Sequence, residues 1–172
     1  MSEIIAPEDA GLLTAFLTDI HRQSYLSAAL TLQDGLKDGI DSGEVQPADI
    51  SVVNHFSKGV YLREFRAKAG TLAVSKMHRT EHYIIFLSGS VSIATDEGVE
   101  LVKAPCIAKT TPGTKRVAYF HEDSVCITIH PTELNDVDQI EREIIVPDGK
   151  EEEFLNSIGR SIEELISCHG QR

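Results

Sequence analysis

The chain has 172 residues, 41% of them hydrophobic, and a net charge of −11. That is enough apolar material for one globular core, and too acidic a balance for nucleic acid or an anionic membrane to be the main partner, because phosphate binding needs clustered cations. Cys106, Cys126 and Cys168 are odd in number and far apart, which argues against a disulfide framework or a CxxC metal site.

The first third reads as helix. Pro7, Glu8 and Asp9 suit a first turn. Leu12, Leu13, Phe16, Leu17 and Ile20 follow at helical spacing. A second helical piece is expected from Ser24 to Leu36, broken by Asp34-Gly35, Asp38-Gly39 and Ser42-Gly43. This arm, residues 1–49, carries an apolar stripe that must dock on the rest of the fold or on another subunit. The start MSEIIAPEDA has early acids and no basic segment, so no secretory leader is expected. No run approaches the roughly 18 apolar residues of a membrane span. The expected compartment is a reducing cytoplasm.

From about Ile50 the periodicity changes from 3.6 to 2. Residues 50–147 are expected to hold strands at Val60–Arg66, Thr71–Met77, His82–Leu87, Val91–Thr95, Val99–Val102, Cys106–Thr110, Lys115–Phe120, Val125–His130 and Glu143–Val146. Short strands at this spacing, with turn signals and no helices between them, indicate an antiparallel sandwich or barrel. Residues 148–172 return to a helical pattern through Phe154, Ile158, Ile162 and Ile166. In the strand opened by His82 both faces are apolar: Ile84 and Phe86 on one, Tyr83, Ile85 and Leu87 on the other. One face fills a core and the other needs a cover, which implies at least a dimer.

The stretch HRTEHYIIFLSG, His78 to Gly89, is where chemistry concentrates. Its two histidines are four residues apart, but the β-formers after His82 argue against a helix. His78 is expected to end one strand and His82 to open the next, so that a short turn brings both imidazoles toward one point.

These residues resemble a cupin, a small antiparallel jelly roll (double-stranded β-helix), here with N- and C-terminal helical arms. In the first cupin motif, G-x5-H-x-H-x3-E-x6-G, Gly70 opens the match and Gly89 closes it. Lys76 stands on the first histidine, His78 on the second and His82 on the glutamate. The second motif's Pro-Gly turn resembles Pro112-Gly113, which puts Arg116 on the third histidine and Phe120 on the asparagine. The segments HRTEH (78–82), KAPC (103–106), PGTKR (112–116), HED (121–123) and TIHPTE (128–133) also resemble uncharacterised cupin-like proteins of tailed bacteriophages. That second resemblance implies a phage origin, with the protein in the cytoplasm of a bacterial host or associated with the virion.

In a cupin barrel the strand opened by His82 lies antiparallel to the last barrel strand, so His82 meets His130. The same register sets Ile84 against Thr128 and Phe86 against Cys126, and a one-residue slip would undo it. His78, His82 and His130 then form a cluster suited to zinc, iron, nickel or manganese, with Glu81 or Glu133 as a further ligand or acceptor. The alternative is a structural cluster whose imidazoles bond each other and backbone carbonyls. Lys76 and Arg116 take the places of cavity-facing ligands, and cations there attract a small anionic ligand, a carboxylate or phosphate. His121 is expected on the surface, and His21, His55 and His169 have no assigned role. No phosphate loop or dinucleotide fingerprint is present, so no nucleotide cofactor is expected. Three functions remain open: a binding module for a metal or small anion, a metal-dependent enzyme, and a phage structural or assembly accessory.

Overall fold

The computed structural model describes residues 10–159. Helix α1 spans Ala10–Ser42. Nine strands follow: β1 (Ile50–Ser57), β2 (Val60–Ala67), β3 (Leu72–Val74), β4 (His82–Ser88), β5 (Ser90–Thr95), β6 (Gly98–Lys103), β7 (Cys106–Thr110), β8 (Val117–Phe120) and β9 (Ser124–Pro131). Helices α2 (Val137–Ile144) and α3 (Glu151–Ser157) complete the described chain. All ladders are antiparallel.

Two sheets form, with strand orders β1-β2-β9-β4-β7 and β3-β8-β5-β6. The eight strands after β1 interleave in the double-sheet order of a jelly roll. Alternation sends one side chain in two inward. Ala67, Ile84, Phe86, Val91, Phe120 and Cys126 form the core between the sheets. The β4–β5 turn needs its glycine. Gly89 has φ +87°, and a β-carbon there would meet Ser124 Oγ and, at 2.8 Å, the Asp123 carbonyl oxygen.

Three expectations are corrected. The arm is one helix where two were expected, because Gly35 and Gly39 do not break it. Gly39 sits where Val45 folds back, and Val45 N–H donates to its carbonyl at 2.9 Å. Side chains along the helix also tie it to the barrel. Arg22 pairs with Asp96 at 2.8 Å and Tyr25 Oη donates to the Ala94 carbonyl at 2.7 Å. The strand expected at Glu143–Val146 is instead the end of α2 followed by one isolated bridge, Ile145 to His78. Strand β1 went unread. It pairs along all of β2, from Ile50 opposite Ala67 to Ser57 opposite Val60, as an exposed edge.

Helix α2 was also missed. Its N-cap Asp136 accepts from Gln139 N–H at 2.9 Å, and Ile140 and Ile144 bury against Tyr61. The C-terminal expectation holds for Glu151–Ser157, while Ile162 and Ile166 lie outside the described residues.

Candidate metal centre

Three histidines meet at one end of the inter-sheet space. Ile84 lies opposite Thr128 and Phe86 opposite Cys126, the register expected from the sequence. Inward-facing His82 and His130 are therefore neighbours across the β4–β9 ladder. His78 arrives from the loop before β4. Its backbone is pinned on both sides, by the Gly113 N–H donating to its carbonyl (2.9 Å) and by the bridge to Ile145. The Arg79 N–H to the Ile144 carbonyl (2.7 Å) and the Val146 N–H to the Met77 carbonyl (2.9 Å) fix the same segment. The exit of α2 thus holds His78 in place.

The ring centroids are 4.3 Å apart for His78–His82, 4.5 Å for His82–His130 and 5.3 Å for His78–His130. One ligand atom from each lies within 4.8 Å of the others, so the group could hold a metal ion. Neighbours orient two of the rings. His130 Nε2 is 3.0 Å from Thr128 Oγ1, and His82 Nδ1 is 3.4 Å from the Thr80 carbonyl oxygen. His130 is only 1% exposed, and its Nδ1 is buried with no hydrogen-bond partner. With Nε2–H donating to Thr128, the Nδ1 lone pair is left free for a ligand.

All three imidazoles stay neutral near pH 7. Burial first, then the repulsion of His82, His130, Arg116 and Arg63, pushes His78 from 6.5 to about 3. Burial, with His82 and Arg63 adding, brings His130 to about 4. His82 is lowered chiefly by burial, with Arg116 adding and the Thr80 hydrogen bond opposing. Neutral imidazole is the form that coordinates a metal.

A cavity of about 330 Å³ opens beside the cluster. Phe65, Ile84, Phe86, Ile93 and Phe120 line it deeply. Arg116 also lines it, half-buried, with Nη2 donating to Thr110 Oγ1 at 2.8 Å. Thr110 stands directly across from His82 on β7, which sets the guanidinium next to the cluster. Lys76 lies at the exposed rim, where Nζ reaches Glu141 Oε2 at 2.8 Å. The same carboxylate faces Arg63 Nη1 at 3.4 Å.

The carboxylates expected to assist do not reach the cluster. Glu81 pairs with Lys109 on the exposed surface at 3.0 Å, and Glu133 is exposed near Gly59. His121 is exposed and bonds Ser92 Oγ at 2.7 Å, and His55 pairs with Glu64 at 3.1 Å. Thr110, Thr128, Arg63 and Glu141 were not read from the sequence. Thr128 alone left a signal, two residues before His130 and hence on the same face of β9.

No protein-family model and no curated protein matches this chain. Solved structures similar to it include a cupin-2 domain containing protein from Shewanella frigidimarina, at 12% identity, covering 55% of this chain and 91% of that one, with a TM-score of 0.42. Another is a cupin superfamily protein from Desulfitobacterium hafniense, at 10% identity, 51% and 81% coverage and a TM-score of 0.43. A third is an acetylacetone dioxygenase from Acinetobacter johnsonii, at 15% identity, 53% and 67% coverage and a TM-score of 0.42. The jelly-roll assignment rests on the strand order itself. The phage origin stays an expectation of the sequence signatures.

Proposed function

We propose that His78, His82 and His130 hold a divalent transition metal, zinc, iron, nickel or manganese, and that the adjoining cavity binds a small molecule. The protein is then a metal-containing binding module on a jelly-roll scaffold. The observation that carries this reading is His130 Nδ1, buried without a partner among three neutral imidazoles. A purely structural cluster would satisfy its own nitrogens. Among the described residues the hydrogen bonds of the rings run to Thr80 and Thr128, not from ring to ring.

The donor set fits the metal. Three neutral nitrogens suit these ions and leave coordination positions free toward the cavity. The Thr80 carbonyl accepts from His82 Nδ1–H and so holds that ring's tautomer, and the Thr128 hydroxyl orients the His130 ring through Nε2. The apolar walls give the body of a small molecule something to pack against, and Arg116 offers a cation beside the cluster. The test is thermal melting of chelator-stripped protein with each of the four ions added. A stabilisation that is lost in His82→Ala supports the reading, and no shift with any ion sinks it.

A metal-dependent enzyme is the second reading, favoured by the cavity that adjoins the cluster. A bound ion would supply a Lewis acid there. Turnover of a small-molecule panel separates this from binding alone. The outer face of the five-stranded sheet is proposed as a self-association surface. Tyr83, Leu87 and Ile107 are exposed on it, Ile107 at 63%. A role in a phage virion or its assembly rests on the sequence signatures, and mass spectrometry of purified particles tests it.

A further inference from the structure

The charges around the cavity do not balance. Its walls carry three cations, Arg63, Lys76 and Arg116, against one carboxylate, Glu141. Glu141 sits at the rim and is shared by Lys76 and Arg63. Arg116 is different. Its guanidinium makes one side-chain hydrogen bond, to the hydroxyl of Thr110, and no carboxylate pairs with it among the described residues. A half-buried guanidinium without a counter-charge is costly, and a divalent ion on the neighbouring imidazoles would add two more positive charges. The apolar walls supply nothing to offset either.

We propose that the cavity takes a small monocarboxylate with an apolar body, its carboxylate bound by Arg116 and its body packed against Ile84, Phe86, Ile93 and Phe120. This rests on the small-molecule reading of the same cavity and names the class of molecule. A carboxylate matches the guanidinium fork with two oxygens and one charge. A phosphate would bring further oxygens and charge, while the other two cations of the walls, Arg63 and Lys76, are already taken up by Glu141. Lys76 is not part of this anchor, because its ammonium is exposed and held by Glu141. The volume, about 330 Å³, is that of about eleven liquid waters, so the body has on the order of ten non-hydrogen atoms.

The experiment is calorimetric titration of wild-type protein, chelator-stripped and zinc-loaded, with four matched probes and inorganic phosphate. The probes are benzoate, hexanoate and their neutral amides, benzamide and hexanamide. At least one carboxylate should bind about tenfold or more tighter than its amide and than phosphate. Arg116→Gln should lose that preference, and Arg116→Lys should recover part of it. In Arg116→Gln, zinc should still stabilise the fold, and at least as strongly, since a repelling charge has gone. Equal binding of acid and amide, tighter phosphate binding, or no binding by any probe overturns the proposal. So does a preference that survives in a folded Arg116→Gln. The comparison of acid with amide on wild-type protein stands even if the variant does not fold. A zinc shift without acid preference sinks this inference and spares the metal reading. Acid preference without a zinc shift does the reverse.

Discussion

At the residue scale the account turns on how each imidazole is held. Thr128 fixes His130 through Nε2, so Thr128→Val keeps the β-branched shape and removes the partner. The expected result is a loss of about tenfold or more in zinc affinity, with a cost of about 1–3 kcal/mol to the stripped protein from the buried Nε2 left without a partner. Equal affinities in titration would remove Thr128 from the site. Protonation gives a second test. The folded pKa values of His78 (about 3) and His130 (about 4) lie below the unfolded 6.5. Protons therefore bind the unfolded chain first. The stability from these groups is complete above about pH 6.5 and declines as pH falls toward 4 and 3. Denaturant melts of metal-free protein should show a loss of about 2 kcal/mol or more between pH 7 and pH 5. A flat profile would contradict the burial of the cluster. The meeting of His82 with His130 was legible only through the strand order that the cupin resemblance implies, together with the register of β4 on β9. The place of Arg116 beside Thr110 was not, because it depends on where the loop before β8 crosses the barrel end.

At the element scale, glycines separate what sequence can and cannot say. In α1, Gly35 has open space around it, while Gly39 lies against Val45. Gly35→Ala should stabilise the protein by up to about 1 kcal/mol, and Gly39→Ala should destabilise it through the clash. The sequence shows two Asp-Gly pairs of the same kind, and only the packing of Val45 tells them apart. Gly89→Ala should cost about 2 kcal/mol or more in a chemical melt, because it adds left-handed strain to a steric conflict with Ser124. The central strands were readable because each alternates or is bounded by turn signals. Strand β1 was not, since ISVVNHFS is exposed along its whole length and borrows its order from β2. Helix α2 left a signal in Asp136 followed by Ile140 and Ile144, which the β-like pair Ile144-Ile145 concealed.

At the scale of the whole molecule, one buried ion pair joins three parts of the chain. Lys115, before β8, donates to Gln33 of α1 at 2.7 Å and faces Glu151 of α3 at 3.8 Å. Both charged side chains are 2% exposed. Glu151→Gln leaves a buried ammonium without its counter-charge and should cost about 3 kcal/mol in a chemical melt. A change below the error of the melt would mean that the pair does not lock the arms to the barrel. The proposed metal centre does not share its chemistry with this joint, but it would need His78 held by the exit of α2, and α2 and α3 are joined by a short loop.

The most direct test of the metal centre is calorimetric titration of zinc into chelator-stripped wild-type protein and His130→Ala. The account predicts one site per chain in the wild type. It predicts an affinity at least about a hundredfold weaker in the variant, whose remaining two imidazoles cannot complete the set. No binding to the wild type, or equal binding to both proteins, would contradict it.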